Sequence, residues 1–301
     1  MTVPPYLKRG DTIAICCPAG YMAAEKVTNC IHTLKKEGYN VIVGENVCSK
    51  SKNYFSGTDE ERITEFQLFL DDKKIDAILC ARGGYGISKI IDKLCFKKFL
   101  KHPKWVIGFS DVTVLHTYLF TNFKITSLHA SMAAAFTGDV ETDNIKTMLA
   151  ALRGKKAVYD IDPNTSNKTG TTKGKLIGGN LSLFTNSIGT SSDVKTSNCI
   201  LFLEDLDEQL YHIDRMFVQL KRSGKLKKLA GLIIGGFTDL KDTERPFGKN
   251  IYEIVLELVA EYDYPVCFDF PVSHGEYNLA LKHGMKHQLI AKEEGVSLIE
   301  L

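Results

Sequence analysis

Short apolar runs alternate with longer amphipathic segments through the first half of the chain. The first run, TIAICC at 12–17, ends in a Pro-Ala-Gly turn. A helix is predicted over 22–37, closed by Gly38, and a second strand is predicted over 39–43. This order of strand, helix and strand is typical of βαβ units built around a mostly parallel sheet.

The same unit then recurs. Thr58 and Glu61 have the spacing of a capping box, in which two side chains satisfy free N–H groups at a helix N-terminus. Apolar residues at 63, 66 and 70 then fall on one helical face, and 75–80 is the next predicted strand.

Two turns follow predicted strands and lead into helices. One is ARGGYG at 81–86, and the other lies within KWVIGFSDVT at 104–113. Both are at the C-terminal ends of strands, which is the edge where open parallel sheets bind ligands. We therefore expect these two turns to take part in a ligand site.

The pattern changes at 160–175, where DIDPNTSNKTGTTKGK has no apolar periodicity and is predicted to be an interdomain linker. It would separate an N-terminal domain at 1–159 from a smaller, mixed α/β C-terminal domain at 176–301. In the second half, strands are predicted over 176–178, 199–204, 229–235 and 266–268, and helices over 182–188, 208–223 and 251–262.

Composition narrows the class of protein. A chain of 301 residues suits two domains, and 44% apolar with 25% charged residues is ordinary for a soluble globular protein. With 38 Lys and Arg against 36 Asp and Glu, the chain lacks the basic excess that favours nucleic-acid binding. No apolar run suits a bilayer and the start does not resemble a secretory signal, so a cytoplasmic protein without membrane contact is expected.

Cysteine and histidine spacing gives little support for a metal site, and no cofactor is expected. The sequence has no C-x-x-C pair, and H-x-x-x-H occurs only once, at His283 and His287. Reduced, buried thiols are expected instead. The cysteines are at 16, 17, 30, 48, 80, 95, 199 and 267.

Ser110 is the first candidate for chemistry, because a strand that turns sharply into a helix exposes a side chain beside backbone N–H groups. The sequence GFSDV keeps the first glycine of G-x-S-x-G and has Val112 in place of the second. The alternative is that Ser110 or Asp111 caps the helix that begins near Thr113. The ARGGYG loop could bind an oxyanion or a phosphate, or be a plain tight turn.

Glu204 and His274 are weaker candidates when each is taken alone. Glu204 ends the strand CILFLE, where it could orient an imidazole or favour the dipole of a following helix. His274 lies in the irregular segment FPVSHGEYN, and His129 is a second candidate for a base. His102, His283 and His287 lie near lysines and are predicted to be surface residues. His32, His116 and His212 fall within helical patterns.

Taken together, the motifs resemble one family, the serine LD-carboxypeptidases, which comprises muramoyl-tetrapeptide carboxypeptidases and microcin self-immunity proteins. The resemblance covers almost the whole chain and follows the family's order of blocks. The blocks are GDTIAICCPAG, YFSGTDEERITEFQLFLDD, ILCARGGYGISKIID, VIGFSDVTVLH, GKLIGGNLSLF, LFLEDLDEQLYHIDRMFVQL and FPVSHGEYNLAL.

The resemblance implies a catalytic role for five residues. Ser110 would be the nucleophile, His274 the base and Glu204 the acid that orients it, while the backbone N–H groups of Gly84 and Asp111 would form the oxyanion hole. The implied fold is α/β, with a parallel-sheet N-terminal domain that carries a nucleophile elbow and a smaller mixed α/β C-terminal domain. Candidates for reading substrate charges are Arg82, Glu208 and Arg245.

The implied activity is release of the C-terminal D-alanine from a muropeptide tetrapeptide during peptidoglycan recycling, by a homodimer without cofactor. The third peptide residue, diaminopimelate or lysine, stays open. Alternatives are a microcin-type peptidase for nucleotidyl peptides, another serine hydrolase such as an esterase, and a muropeptide-binding protein without activity. The chain looks short for the extra loop of the microcin relatives. It departs from the family at Lys282, where proline is usual.

Overall fold

The computed structural model describes residues 1–47, 49, 51–136 and 142–301. The chain divides into two compact units. The first contains residues 1–155 and 279–282, and the second contains 156–278 and 283–301. Both are α/β and the second is the smaller, so the predicted fold class is confirmed.

Strands and helices alternate through most of the chain. The described strands are β1 (Thr12–Cys16), β2 (Asn40–Val43), β3 (Ala77–Cys80), β4 (Trp105–Gly108), β5 (Ser127–His129), β6 (Val158–Ile161), β7 (Gly170–Asn180), β8 (Cys199–Leu206), β9 (Gly231–Thr238), β10 (Val266–Phe270), β11 (Leu281–His283), β12 (Lys286–Lys292) and β13 (Gly295–Glu300). The described α-helices are α1 (Glu25–Lys36), α2 (Asp59–Asp71), α3 (Ile87–Ile90), α4 (Thr113–Phe123), α5 (Asp143–Leu152), α6 (Leu181–Asn186), α7 (Leu210–Arg222) and α8 (Ile251–Val259).

The sheet of the first unit has the order β11-β5-β4-β3-β1-β2. The ladders that join β2 to β1, β1 to β3, β3 to β4 and β4 to β5 are all parallel. Every residue of β3 and β4 is buried, which explains why the sequences of these strands are unbroken apolar runs. Because β3 and β4 are neighbours and run the same way, ARGGYG and the turn at Ser110 leave the sheet at one edge.

Helix α2 begins at the predicted capping box. The Thr58 hydroxyl accepts a hydrogen bond from the Glu61 N–H at 3.2 Å, and Glu61 Oε2 accepts one from the Thr58 N–H at 2.7 Å. At the other end, the buried Lys104 ammonium donates to the Phe69 carbonyl at 2.9 Å. Side chains therefore satisfy backbone groups at both ends of α2.

The second sheet is mixed, with the order β10-β9-β8-β7-β12-β13-β6. Strands β7 to β10 are parallel, whereas β7, β12, β13 and β6 are joined by antiparallel ladders. The four parallel strands supply the edge that holds the candidate residues of this unit.

The predicted linker at 160–175 is irregular only in its middle, because its two ends belong to β6 and β7. The first half of β7 has exposed or half-exposed side chains, including Thr172 and Lys173, and it is held by its ladder to β12. A strand stabilised by backbone hydrogen bonds needs no apolar periodicity, so its sequence resembled a loop. The two units divide between Lys155 and Lys156, just before this segment.

The basic segment near the C-terminus is also buried rather than exposed. His283 and His287 are fully buried, in contrast to the surface positions predicted for them. Lys282, the departure from the family pattern, is only 1% exposed. Its ammonium donates to the Lys155 carbonyl at 2.9 Å and lies 5.0 Å from the centre of the Tyr6 ring, and these contacts compensate its burial.

The seven described cysteines are thiols rather than disulfides, and six of them are buried as expected. Cys95 is exposed, and Cys48 lies outside the described residues. Among the described residues, none of the helices combines the length and apolar character required to cross a membrane.

The capping box predicts a stability effect. Thr58→Ala removes the hydroxyl acceptor at the N-terminus of α2 and should lower the free energy of unfolding by about 1 kcal/mol. Thr58→Ser keeps the acceptor and is the matched control. Urea denaturation followed by circular dichroism measures both variants, and equal midpoints for Thr58→Ala and wild type would contradict the role of the cap.

Candidate active site

Ser110 lies on a sharp turn between β4 and α4. Residues 110–112 form a single 3-10 turn, and α4 begins directly afterwards. Ser110 is 8% exposed and has φ of 61°, in the left-handed region that non-glycine residues rarely adopt. A strained serine between a buried strand and a helix has the geometry of a nucleophile elbow.

The helix-capping alternative for Ser110 and Asp111 does not match the structure. The residue at the N-cap of α4 is Val112, and no side chain there accepts a capping hydrogen bond. The Asp111 carboxylate instead accepts a hydrogen bond from the Ile87 N–H at 2.9 Å, at the start of α3. Asp111 therefore links the elbow to the end of the ARGGYG loop.

The ARGGYG loop packs directly on the elbow. A Cβ atom on Gly83 would lie 3.0 Å from Ser110 Cβ and 3.3 Å from the Asp111 nitrogen, which is tighter than most Cβ contacts in proteins. Glycine therefore lets the loop approach Ser110 this closely without displacing it. The role of the Gly84 and Asp111 N–H groups as oxyanion donors stays a prediction.

Arg62 supports the same loop from α2 and was missed by the sequence analysis. It is 1% exposed, and its guanidinium donates to the Pro18 carbonyl at 2.6 Å and the Gly86 carbonyl at 3.1 Å. It also pairs with Asp59. The available signal was its position: Arg62, not residue 63, shares the buried face of α2 with Phe66.

The second unit pairs the other two candidates. His274 Nδ1 lies 2.6 Å from Glu204 Oε2, so an Nδ1–H donates to the carboxylate and Nε2 is left as the basic nitrogen. Glu204 is fully buried, whereas the His274 side chain is 13% exposed. This is the pairing in which a carboxylate fixes the tautomer and orientation of an imidazole.

Local irregularities in three parallel strands create this pair. The ladder between β8 and β9 shifts register at Glu204, and a shift of this kind re-aims a side chain. A Cβ atom on Gly235 of β9 would lie 2.2 Å from the Val272 carbonyl oxygen. The loop that follows β10 can therefore lie directly on β9 and reach Glu204. The paired glycines of LIIGGFT were the sequence signal for this close approach.

Burial and pairing oppose each other in setting the pKa of His274. Burial lowers the pKa, but the hydrogen bond and the charge of Glu204, with a contribution from Asp205, raise it more, and the net pKa lies above its usual value. For Glu204, burial raises the pKa while the hydrogen bond from His274 opposes the shift. Asp205 is buried and accepts hydrogen bonds from Asn180 at 2.7 Å and the Ser182 hydroxyl at 2.8 Å.

Three further candidates have different surroundings. Arg82 is exposed in the first unit and donates to the Tyr21 carbonyl. In the second unit, Glu208 accepts from the Ser182 hydroxyl at 3.1 Å and lies 2.9 Å from His212 Nδ1, while Arg245 is exposed on the segment between β9 and α8.

His129, the competing base, is completely buried at the end of β5 and is not exposed to a substrate. Over the described residues, no group of three or more His, Cys, Asp and Glu side chains has the arrangement of a metal site.

Comparison with known proteins identifies the family of this two-unit chain. The model of the LD-carboxypeptidase N-terminal domain matches residues 13–130, and that of the LD-carboxypeptidase C-terminal domain matches residues 173–289. The chain belongs to the LD-carboxypeptidase family, peptidase family S66, and is a serine-type carboxypeptidase.

Similarity to individual proteins extends over nearly the full length. A probable murein peptide carboxypeptidase of Bacillus subtilis is 30% identical over 97% of this chain and 92% of its own. The microcin C7 self-immunity protein MccF of Escherichia coli is 24% identical over 97% and 94% of the two chains. The crystal structure of muramoyltetrapeptide carboxypeptidase from Oxalobacter formigenes superposes with a TM-score of 0.86 at 27% identity, covering 96% of this chain and 99% of that chain.

Burial of Asp111 predicts a pH-dependent stability. Burial raises the pKa of Asp111 to about 7, partly opposed by the hydrogen bond from Ile87 and the charge of Arg62. The native state therefore binds this proton more tightly than the unfolded state, and stability falls as pH rises from about 4 to about 7. The full effect is at most about 4 kcal/mol.

Asp111→Asn cannot ionise, so its melting temperature relative to wild type should rise between pH 4 and pH 8. Calorimetry at several pH values measures this difference, with Asp162→Asn as an exposed control. A difference that does not change with pH would contradict the assignment.

Proposed function

We propose that this carboxypeptidase releases the C-terminal D-alanine from the tetrapeptide of a muropeptide, with Ser110 as nucleophile. The observation that supports it most is the hydrogen-bonded pair of His274 and Glu204 in a chain that also has a serine on a strained elbow. The relatives named for murein peptides favour this substrate.

The reaction would proceed through an acyl-enzyme. Ser110 Oγ attacks the carbonyl carbon of the bond to D-alanine while His274 Nε2 takes the hydroxyl proton. The negative oxygen of the tetrahedral intermediate is stabilised by the N–H groups of Gly84 and Asp111. His274 then protonates the nitrogen of D-alanine, which leaves. A water molecule, deprotonated by the same imidazole, attacks the ester and releases Ser110.

Charged side chains would bind the charged groups of the peptide substrate. We assign binding of substrate carboxylates to Arg82 and Arg245, because guanidinium groups pair with carboxylates in a bidentate manner. Glu208 would bind the ammonium group of the third residue, which both diaminopimelate and lysine possess.

We further propose that the enzyme works in the cytoplasm as a homodimer. The cysteine thiols of the described residues are compatible with a reducing compartment. The dimer rests on the family resemblance alone.

A second candidate function is hydrolysis of nucleotidyl peptides, since the chain is also related to the microcin self-immunity protein MccF. It would use the same nucleophile and base on a different substrate. A substrate panel therefore separates the two functions.

The panel contains defined tri-, tetra- and pentapeptide muropeptides and a nucleotidyl peptide, with products identified by mass spectrometry. We expect release of D-alanine from the tetrapeptide only. Ser110→Ala should reduce that release by about a thousandfold or more, whereas Ser223→Ala, at the C-terminal end of α7, should not. Release at the wild-type rate by Ser110→Ala would refute the nucleophile, and turnover of the nucleotidyl peptide alone would favour the second function.

The raised pKa of His274 predicts the pH profile. Because the base must be neutral, kcat/KM should fall as pH drops through the pKa of His274, with the inflection above the usual value of about 6.5. Glu204→Gln removes the charge that raises this pKa, so both kcat and the pH of the inflection should fall.

Asp111 also titrates near neutral pH, and Asp111→Asn is therefore the control that should leave the inflection in place. A flat profile from pH 5 to 8, with chemistry limiting the rate, would rule out a histidine base.

A further inference from the structure

We propose that Asp111 is a positioning residue whose side chain fixes the ARGGYG loop beside the nucleophile, Ser110. The proposal rests on the function given above and adds to it. Asp111 would then act twice, since its N–H stabilises the oxyanion while its carboxylate holds the loop that supplies the other donor, Gly84.

The first observation is how the loop is attached at its two ends. At the start, Ala81 donates its N–H to the Cys16 carbonyl at 2.7 Å, directly after the ladder between β1 and β3. At the end, Ile87 donates its N–H to Asp111 Oδ2 at 2.9 Å. Because Asp111 follows Ser110 in the chain, this bond ties the far end of the loop to the residue next to the nucleophile.

The second observation concerns the peptide group between Gly86 and Ile87. Its carbonyl oxygen accepts a hydrogen bond from Arg62 at 3.1 Å, and its N–H is the donor to Asp111. Since a peptide group is planar and rigid, partners on both of its polar atoms fix its orientation about the chain axis. Arg62 is held in turn by Pro18 and by its ion pair with Asp59.

The third observation is that Gly84, in the middle of the loop, must be held in a precise position. Gly83 lies so close to Ser110 and the backbone of Asp111 that a Cβ atom would be crowded there, and Gly84 follows with φ of 96°. A donor at Gly84 must be placed to within a few tenths of an ångström to serve an oxyanion. The Gly20 N–H holds the Gly83 carbonyl at 3.1 Å on one side of Gly84, and the bond to Asp111 holds the loop on the other side.

The fourth observation is that burial of the Asp111 carboxylate lowers the stability of the folded state. Asp111 is fully buried, and its second oxygen, Oδ1, has no hydrogen-bond partner among the described residues. Burial of an incompletely paired carboxylate is unfavourable, so stability alone does not explain it. A group that holds an active-site loop at the expense of stability does explain it.

The test compares Asp111→Ala with Asp111→Asn, since asparagine keeps an acceptor for the Ile87 N–H. We expect Asp111→Ala to lower kcat by about 100-fold, near the loss caused by removing one oxyanion donor. KM for the tetrapeptide should change less than threefold. The kcat of Asp111→Asn should be at least tenfold higher than that of Asp111→Ala. Assays are run at a temperature where circular dichroism shows each variant fully folded, so that a purely structural role leaves kcat unchanged.

A second pair of variants alters the donor and leaves Asp111 in place. Ile87→Ala and Ile87→Pro both truncate the same buried side chain, but only proline removes the N–H, and it is tolerated at the first position of a helix. Proline should lower kcat at least tenfold more than alanine does. If Asp111→Ala does not fold, the two Ile87 variants still test the proposal.

A fluorophosphonate reagent separates the failure of this proposal from the failure of the proposed function, because it reacts with Ser110 without a peptide. Labelling rates should follow the order wild type, Asp111→Asn, Asp111→Ala. If wild type is labelled on Ser110 but cleaves no muropeptide, the function is wrong and the labelling order still tests the positioning role. Equal rates for Asp111→Asn and Asp111→Ala, with equal kcat for the two Ile87 variants, would overturn the proposal.

Discussion

The left-handed backbone at Ser110 is the constraint on which the first unit depends. Such a conformation costs on the order of 1–3 kcal/mol and persists only where the surroundings hold it. Here a fully buried strand ends directly before it, Gly83 lies against it, and the Asp111 carboxylate ties the following residue to the start of α3. The βαβ architecture of this unit supplies the buried strand, and the glycines of ARGGYG allow the close approach. The result is a serine presented beside backbone N–H groups.

The second unit places an imidazole, His274, beside a buried carboxylate, Glu204. Glu204 lies where the ladder between β8 and β9 shifts, and Gly235 of β9 lets the chain after β10 cross at close range. The hydrogen bond between Glu204 and His274 then stabilises the protonated form of the imidazole. Both units therefore depend on glycines that bring backbone and side chain closer than other residues permit.

Local patterns predicted much of this structure. The alternating apolar runs, the capping box at Thr58 and the turn at Ser110 are short-range features, and each is found where it was expected. The polar strand β7 was mistaken for a linker because its first half is held by backbone pairing, and His283 was expected at the surface because its neighbours are charged. The partners of Arg62 and the closeness of Glu204 and His274, 70 residues apart in sequence, depend on tertiary structure. Local pattern could indicate only the buried position of Arg62 on α2 and the close approach at Gly235.

The central claim is that Ser110 is a nucleophile activated by His274. The most direct test is the intact mass, followed by peptide mapping, of wild type and His274→Ala after incubation with a fluorophosphonate reagent. We expect a single adduct on Ser110 in wild type and labelling slowed by at least about a hundredfold in His274→Ala. An adduct on another residue, or equally fast labelling of the two proteins, would contradict it.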